Sequence, residues 1–337
     1  MAFLVRSLRM DRIDIALAAD AGYFCGLFVT ACSVAKYASR DMELRFNILD
    51  GGINKEDWSL LRRKASELHP HVSFNVIPVE EQLFARYPAW HGNKMAYARL
   101  LLPEMLPDVA WCVYCDVDFS WCRDIAELWR ERDDRYFMLV TLDGVASTFD
   151  TEEKWFHEKG LPFDRKTYFC SGLCFMNLNA FREQCLIDKV YGFLERYPDV
   201  HYPDQNALNA VTFGRTKLVS QCWQRFPLAL SQDDLDCGVV IHHAGEVPWK
   251  KMSGMRLLSD AMLIWHHMNA EFRCVSLWQS LRVYFGVGDI ILHRMFCLVF
   301  RYQPSKWMLW MLISGVMRRR QTYVNYVKIA ERKVIKV

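Results

Sequence analysis

The chain has 337 residues, of which 52% are hydrophobic and 14% aromatic, so it can bury a sizeable core and is not intrinsically disordered. Its net charge of +3 is uneven, because residues 290–337 hold ten Lys or Arg and one Glu, which leaves −6 for residues 1–289. An acidic body with a basic end is typical of a soluble domain with a surface-seeking tail. The N-terminal apolar stretch is too short for a secretory signal, which predicts a cytoplasmic body.

Twelve cysteines could indicate disulfides, but several of them lie within apolar runs. We interpret them as reduced core residues. Cys112 and Cys115 have the spacing of half a zinc site, yet no second such pair follows, and strand alternation would place the two thiols on opposite faces. The pattern therefore argues against structural zinc.

Apolar runs rich in Val, Ile and aromatic residues alternate with helical patterns over residues 1–255, which predicts an α/β domain with helices on both faces of a sheet. Asn54 is a candidate cap for a helix over Lys55–Leu68, and Asp204 for a helix that runs through Val211. The predicted strands are Ile13–Asp20, Leu44–Gly51, Val72–Val79, Ala110–Asp118, Tyr136–Asp143, Tyr168–Leu178 and Gly238–Gly245.

Residues 256–337 are predicted to form a separate, basic, helical region. Its apolar run, Trp307–Met317, is about half of the roughly 20 residues that a membrane-spanning helix needs. Interfacial tryptophans and a flanking cluster, Arg318–Arg320, favour a helix that lies in the headgroup region of an anionic bilayer. A helix packed on the domain, with a solvated basic end, is the alternative. Further helices are predicted at Arg256–His267, Phe272–Phe285 and Asp289–Tyr302.

Two carboxylates close the apolar run Ala110–Asp118. Because Asp116 and Asp118 are two residues apart, strand geometry would put both on one side, at the carboxyl edge where open α/β sheets bind ligands. Hard oxygen ligands suit Mg²⁺ or Mn²⁺, and such an ion can hold a diphosphate. A second pair, Asp234 and Asp236, lies in a polar stretch that we interpret as a solvated loop.

Small residues lie where the first predicted strand runs into a turn, which would let a nucleotide approach the backbone closely. Asp20 could accept a hydrogen bond from a base or ribose, and Tyr23 could stack on the base. An ordinary strand-to-helix turn has the same pattern. Similarly, Ser171 and Gly172 indicate either close approach of a ligand to the backbone or a bulge.

Polar residues also begin a predicted helix and end a predicted strand. Capping of the helix explains Asp204 without any function, but it does not explain Gln205. At the end of the last predicted strand, His242 and His243 form a pair of imidazoles, and a pair at a carboxyl edge is a better ligand candidate than a lone histidine. Gly245 follows directly.

The motifs AADAGY, YARLLLPEMLP, YCDVDF, YFCSGLCFMNL, DQNALN and VIHHAG, in this order, resemble glycosyltransferase family 8. The similarity is greatest to bacterial lipopolysaccharide core galactosyl- and glucosyltransferases, with glycogenin as a distant relative, and it covers about residues 13–250. The resemblance implies a GT-A (Rossmann-like) fold, a UDP-hexose donor, Mn²⁺ or Mg²⁺, and retention of the anomeric configuration.

The resemblance also implies roles for individual residues. Asp116 and Asp118 match the metal-binding pair, and His242 matches its third protein ligand. Asp204 matches the residue that binds a sugar hydroxyl, and Gln205 matches the residue beneath the anomeric carbon. The remaining residues matched to donor binding are Ala19, Asp20, Tyr23, Arg99, Val117, Ser171, Gly172, Gly245 and Lys250.

Two positions depart from the family pattern. Cys170 stands where relatives often have Asn, so a polar contact to the donor sugar is replaced or lost. The Lys that relatives carry just before Pro248 is missing, and Lys250 or Lys251 is the candidate substitute.

The resulting hypothesis is a retaining hexosyltransferase that moves galactose or glucose from a UDP-sugar to a saccharide acceptor, lipopolysaccharide core oligosaccharide being the expected one. The basic tail would hold it, as a peripheral protein, on the cytoplasmic face of the bacterial inner membrane. A sugar-nucleotide pyrophosphorylase and a non-catalytic membrane adaptor are the alternatives. Nucleic acid is not expected as a partner, because the basic residues accompany an apolar helix and form no groove-reading module.

Overall fold

The computed structural model describes residues 10–88, 94–227, 230, 234, 238–244, 247–249 and 260–284. Their contacts divide the chain into two compact units. Over the described residues, the first unit comprises 10–24, 34–88, 94–116 and 124–219. The second comprises 25–33, 117–123 and the described residues from 220 to 284. The predicted domain boundary at residue 255 stays a prediction, because residues 250–259 lie outside the described part of the chain.

The α/β class predicted from the alternating patterns is confirmed. The first unit contains a mixed sheet of seven strands in the order β3-β2-β1-β4-β7-β6-β8, and β7 runs antiparallel to both of its neighbours. The second unit contains an antiparallel pair, β5 and β9. The strands are β1 (Arg12–Ala19), β2 (Glu43–Asp50), β3 (Val72–Pro78), β4 (Trp111–Cys115), β5 (Phe119–Trp121), β6 (Met138–Leu142), β7 (Phe169–Asn177), β8 (Thr216–Leu218) and β9 (Val240–His242).

The central strands are apolar along their whole length because both of their faces are covered. Every residue of β4 and β7 is buried. On one face, Phe175 packs against Trp111 and Trp129, with ring centroids 5.0 and 5.2 Å apart. Residues of the opposite parity, such as Cys112 and Met176, belong to a second cluster of buried side chains. Burial of each large side chain stabilises the fold by about 1.5–3 kcal/mol.

The strand predicted over Ala110–Asp118 is shorter than its apolar pattern suggests. Sheet pairing of β4 ends at Cys115, and Asp118 lies beyond the sheet, just before β5. The physical reason is that backbone groups find other partners here. The Asp116 amide still donates to the Gly172 carbonyl over 2.8 Å, but the Val117 carbonyl accepts from the Thr30 hydroxyl, also at 2.8 Å.

The helices confirm one predicted cap and contradict the other. Asn54 caps Lys55–Leu68, its side chain accepting from the Asp57 amide over 2.9 Å. Asp204 lies inside its helix, with Tyr202 at the cap position, because Pro203 already occupies the first turn. The described α-helices are Phe24–Tyr37, Lys55–Leu68, Leu102–Met105, Ile125–Trp129, Ala146–Glu158, Leu178–Glu183, Leu186–Arg196, Pro203–Val211, Asp260–Arg273 and Leu277–Tyr284, and the 3-10 helices are Ala21–Tyr23, Glu81–Phe84, Met95–Leu101 and Gln221–Trp223.

Two packed helices of the second unit correct the predicted boundary between them. Asp260–Arg273 and Leu277–Tyr284 are separated at Cys274, whose φ of 54° is left-handed and stops the first helix six residues later than predicted. None of the described helices is long and apolar enough to cross a membrane. The apolar run Trp307–Met317 and the predicted helix Asp289–Tyr302 lie outside the described residues.

Candidate active site

One edge of the sheet of the first unit collects polar side chains. β1, β4 and β6 share one direction, and an aspartate follows each of them at this edge: Asp20, Asp116 and Asp143. Asp20 and Asp116 were predicted site residues, whereas Asp143 was not assigned a role, although it closes the predicted strand Tyr136–Asp143. The residue Asp143 is 4% exposed, which makes it part of this polar edge rather than a solvated turn.

Arg99 lies at the centre of this edge and is 1% exposed. Its guanidinium donates to Asp116 Oδ1 over 2.8 Å and to the Ser171 carbonyl, and it lies 3.5 Å from Asp204 Oδ2. It also packs 4.3 Å from the ring centroid of Tyr114. Burial alone would lower the pKa of Arg99, but the neighbouring Asp116, Tyr114 and Asp204 raise it well above its usual range. The residue is therefore a fixed cation between two carboxylates.

Asp204 does not cap its helix; its carboxylate is directed to the site. Its Oδ2 accepts from the Ser171 hydroxyl over 3.0 Å, and its side chain is about one tenth exposed. Helix capping therefore does not explain the presence of an aspartate at this position. The predicted role in binding a sugar hydroxyl is compatible with this position and stays a prediction.

Gln205 is 7% exposed and its side-chain amide has partners at both ends. Its Oε1 accepts from the Ser171 amide over 3.0 Å. Its Nε2 donates to Asp143 Oδ2 and to the Tyr168 hydroxyl oxygen, both at 3.0 Å. The Asp143 carboxylate can only accept a hydrogen bond, and the Ser171 backbone N–H can only donate one. The side-chain amide of Gln205 therefore has a single satisfactory orientation, with Nε2 toward Asp143 and Oε1 toward Ser171.

The residues predicted to bind the nucleotide, Asp20 and Tyr23, also lie in the first unit. The Asp20 carboxylate accepts from the Tyr23 amide over 3.1 Å and caps the 3-10 turn Ala21–Tyr23. A Cβ at Gly22 or Gly51 would come within 3.2 Å of the Asp20 side chain, so both positions favour glycine. These contacts explain the turn without a nucleotide, and uridine binding by Asp20 and Tyr23 stays a prediction.

The second unit holds Asp118 and His242 together. His242 Nε2 lies 3.4 Å from Asp118 Oδ1, and its Nδ1 is 3.2 Å from the side-chain nitrogen of Gln224. Burial tends to raise the pKa of Asp118, but the charge of His242 outweighs it and lowers that pKa below its usual value. The carboxylate form is thus favoured beside the imidazole.

His243 faces a different environment from His242. It is completely buried, with its Nε2 2.9 Å from the Ser120 hydroxyl, and its backbone amide donates to the Asp118 carbonyl over 2.8 Å. Burial lowers the pKa of His243 to about 3. A neutral, hydrogen-bonded imidazole in this place is a structural residue, so His242 is the ligand candidate of the pair.

Asp116, Asp118 and His242 each offer a ligand atom, and these atoms lie within 4.8 Å of one another. Asp118 Oδ1 is buried and, apart from its 3.4 Å contact with His242 Nε2, accepts no hydrogen bond from the described residues. A buried carboxylate oxygen without a donor is costly, and a divalent cation would satisfy it. Two carboxylates and one imidazole suit Mn²⁺ or Mg²⁺, so the side chains fit the predicted ion.

The structure thus describes most of the predicted site residues but not all. Gly245 and Lys250 lie outside the described residues, and their predicted roles are not tested. Asp234 corrects the interpretation of a solvated loop, since it is 9% exposed and accepts from Arg225 Nε over 2.8 Å. The thiol of Cys170 is buried, and the described cysteines form no disulfide with one another.

Comparison with known sequences gives a consistent result. A family model, Glycosyl transferase family 8, matches residues 14–253. A Haemophilus influenzae protein provisionally named a glycosyltransferase is 27% identical over 226 residues, which is 66% of this chain but only 65% of that protein, just under two thirds. General stress protein A of Bacillus subtilis is 25% identical over 216 residues, or 61% of this chain and 71% of that protein.

Solved structures agree on the fold. The galactosyltransferase LgtC, in complex with donor and acceptor sugar analogues, has a TM-score of 0.63 at 22% identity, covering 77% of this chain and 96% of LgtC. The bifunctional glycosyltransferase WbbM, in its apo form, has a TM-score of 0.66 at 16% identity, covering 82% of this chain and 52% of WbbM, about half its length. At these identities the likeness shows the fold alone. Since the family model spans most of the chain, including the Asp-Asp-His group, the protein belongs to glycosyltransferase family 8.

Proposed function

We propose that the protein is a retaining, metal-dependent transferase that moves galactose or glucose from a UDP-sugar to a saccharide acceptor. The observation that carries this proposal is the Asp116, Asp118 and His242 group. Beyond a 3.4 Å contact with His242, the buried Asp118 Oδ1 accepts no hydrogen bond from the described residues. A Mn²⁺ or Mg²⁺ ion held there would stabilise the negative charge of the departing diphosphate. Membership of the family favours this reaction over pyrophosphorolysis and over a non-catalytic adaptor role.

The protein's own residues divide the remaining work. Arg99 holds Asp116 by a 2.8 Å hydrogen bond, which fixes one candidate ligand in a single orientation. The Asp204 carboxylate, which is held by the Ser171 hydroxyl, would accept a hydrogen bond from a hydroxyl of the donor sugar and so orient the sugar ring. The carbonyl oxygen of Gln205 would lie beneath the anomeric carbon, where its partial negative charge stabilises an oxocarbenium-like transition state.

Retention follows from attack on the same face as the leaving group. The acceptor hydroxyl oxygen forms a bond to the anomeric carbon as the bond from that carbon to the UDP oxygen breaks. The hydroxyl proton passes to the departing phosphate oxygen, so no carboxylate nucleophile is needed. A Gln side chain is too weak a nucleophile to support a covalent intermediate.

The acceptor and the location are proposed on the resemblance and on the sequence of the tail. LgtC is a galactosyltransferase whose structure contains an acceptor sugar analogue, which supports a saccharide acceptor here. Lipopolysaccharide core oligosaccharide is the specific candidate. The basic residues around Trp307–Met317 would attach the enzyme to anionic lipid on the cytoplasmic face of the bacterial inner membrane.

The decisive experiment is a panel of UDP-sugars assayed for UDP release, with Mn²⁺ or with EDTA, and with or without lipopolysaccharide core acceptors. We expect UDP-galactose or UDP-glucose to be used only with the metal. Asp118→Ala should abolish turnover, whereas Asp199→Ala, which removes an exposed carboxylate paired with Lys159, should not. An Asp118→Ala protein with near-native activity at saturating Mn²⁺ would refute the metal site, and no UDP release from any donor would refute the transferase reaction.

A further inference from the structure

A chain of hydrogen bonds leads away from Gln205 through buried side chains of the first unit to His201, whose side chain is 46% exposed. Gln205 Nε2 donates to the Tyr168 hydroxyl oxygen over 3.0 Å, and Tyr168 in turn donates to Asn206 Oδ1 over 2.6 Å. Asn206 Nδ2 donates to Glu152 Oε2, and Glu152 Oε1 lies 2.9 Å from His201 Nδ1. None of the proposed chemical steps uses Glu152, Asn206 or His201.

Glu152 is the unusual member of this chain. Its side chain is completely inaccessible to solvent, although a glutamate in an amphipathic helix is ordinarily exposed. Its partners among the described residues are the neutral amide of Asn206 and the imidazole of His201. Burial of a carboxylate is costly, so its position needs a reason other than helix stability.

The hydrogen bonds between Glu152 and Gln205 run in one consistent direction. The Oε2 atom of Glu152 accepts from the NH₂ end of the Asn206 amide. The carbonyl end of Asn206 is therefore turned to Tyr168, whose hydroxyl must donate to it. The lone pairs of that hydroxyl oxygen are then left to accept from Gln205 Nε2.

We propose that Glu152 is a positioning residue that, through Asn206 and Tyr168, turns the carbonyl oxygen of Gln205 toward the donor sugar. Asp143 and the Ser171 amide select the same orientation, and the Tyr168 hydroxyl supplies the second acceptor that holds the Gln205 NH₂ group in place. This inference rests on the proposed function only in the role given to the carbonyl oxygen. The network itself is independent of the donor.

The proposal predicts different effects on kcat for two substitutions of Glu152. Glu152→Met removes the acceptor, so Asn206 and Tyr168 lose their fixed polarity, and we expect kcat to fall on the order of tenfold while KM for the UDP-sugar stays constant. Glu152→Gln should recover most of that activity, because its carbonyl oxygen can accept from Asn206 while His201 adopts the complementary tautomer. Glu153→Met is the matched control, since Glu153 is partly exposed and binds Arg165.

A double-mutant cycle with Tyr168→Phe distinguishes positioning from a general effect on stability. Tyr168→Phe should lower kcat by about the same factor, and adding Glu152→Met to it should lower kcat no further. Equal losses in both backgrounds would overturn the proposal, as would a rise in KM in place of the fall in kcat. If Glu152→Met does not fold, an unchanged kcat in Tyr168→Phe alone overturns it.

A second measurement does not depend on turnover. The side-chain ¹⁵N–¹H signals of Gln205, assigned by their loss in Gln205→Glu, should shift in Glu152→Met and in Tyr168→Phe but not in Glu153→Met. If no UDP-sugar is turned over but these signals shift, the proposed reaction is wrong and the network stands. If UDP is released normally but neither kcat nor the signals respond, the network is wrong and the reaction stands.

Discussion

The imidazole of His242 lies flat against the ring of Phe119, with centroids 4.3 Å apart and planes 13° from parallel. The pairing of β5 with β9 places these two residues opposite each other, so the stacking is a consequence of strand register. Gln224 lies at one edge of the imidazole and Asp118 at the other. Contacts on a face and at both edges leave this ring little freedom, as is common for metal-binding histidines.

We therefore predict that His242→Ala weakens Mn²⁺ binding at least tenfold, because it removes one of three protein ligands. Titration with Mn²⁺, followed by electron paramagnetic resonance, measures this directly. His243→Gln, which retains a hydrogen-bonding group for Ser120, should bind Mn²⁺ normally. The opposite pattern, with His243→Gln impaired and His242→Ala normal, would show that the other histidine is the ligand.

Substitution of Gln205 should affect turnover more than donor binding. Its carbonyl oxygen acts on charge that develops only in the transition state, so Gln205→Ala should lower kcat by about 10²-fold with little change in KM. Steady-state kinetics with the preferred UDP-sugar provide the measurement. Unchanged turnover together with weaker UDP-sugar binding would reduce Gln205 to a binding residue.

Arg99 is predicted to be essential for the stability of the polar edge. Arg99→Met leaves Asp116 and Asp204 as neighbouring carboxylates without their shared cation. We expect the free energy of unfolding to fall by about 3 kcal/mol. Arg165→Met removes a half-exposed arginine from ion pairs with Asp150 and Glu153, which solvent screens, and should therefore cost much less stability. Urea unfolding compares the two variants, and equal losses would contradict the central role of Arg99.

Buried histidines should make the fold sensitive to acid. Burial lowers the pKa of His266 to about 3, whereas an unfolded histidine titrates near its usual value of 6.5. Below pH 6.5 the unfolded chain therefore binds a proton that the folded chain does not, and stability falls as the pH decreases toward 3. The contribution of one such group between pH 7 and pH 5 is about 2 kcal/mol.

Urea unfolding at pH 7 and pH 5 tests this contribution. His266→Gln should lose less stability over that interval than the native protein, because a glutamine takes up no proton in either state. His157→Gln, at an exposed position of the helix Ala146–Glu158, serves as the control. If His266→Gln and the native protein lose the same stability, His266 does not contribute to the acid sensitivity.

The tail prediction concerns residues 306–337, which lie outside the described part of the chain. Each Lys or Arg near an anionic leaflet adds on the order of 1 kcal/mol of attraction, and salt screens this attraction within roughly 10 Å at 0.1 M. The full-length protein should sediment with anionic vesicles at low salt and be released at high salt. Deletion of residues 306–337 should abolish sedimentation but not UDP release on a soluble acceptor.

Substitution of Arg318, Arg319 and Arg320 by Gln provides a milder test of the same attraction. We expect these variants to need less salt for release from anionic vesicles than the native protein does. A truncated protein that still sediments, or a full-length protein that never does, would exclude membrane attachment by the tail and leave it a structural element.

The sequence by itself determined the elements whose signals are local. Apolar runs rich in Val, Ile and aromatic residues located seven of the nine described strands to within a few residues, because a strand buried on both faces is apolar along its length. The other two, β5 and β8, are only three residues long and were not predicted. The Asp116, Asp118 and His242 candidates followed from polar residues at the ends of such runs and from the family resemblance. Asn54 was recognised as a cap because its partner, the Asp57 amide, is three residues away.

The tertiary structure decided what depends on partners distant in sequence. Asp204 had the sequence context of a cap, but it lies within the helix. Its carboxylate contacts Ser171 and Arg99, which are distant in sequence. Nothing in the sequence around Glu152 distinguishes it from the neighbouring acidic residues, and only the approach of Asn206, 54 positions later, gives it a buried hydrogen bond. The direction of a hydrogen bond depends on which donor and which acceptor the fold brings together. Residue spacing along the chain does not specify such pairs when they are distant in sequence.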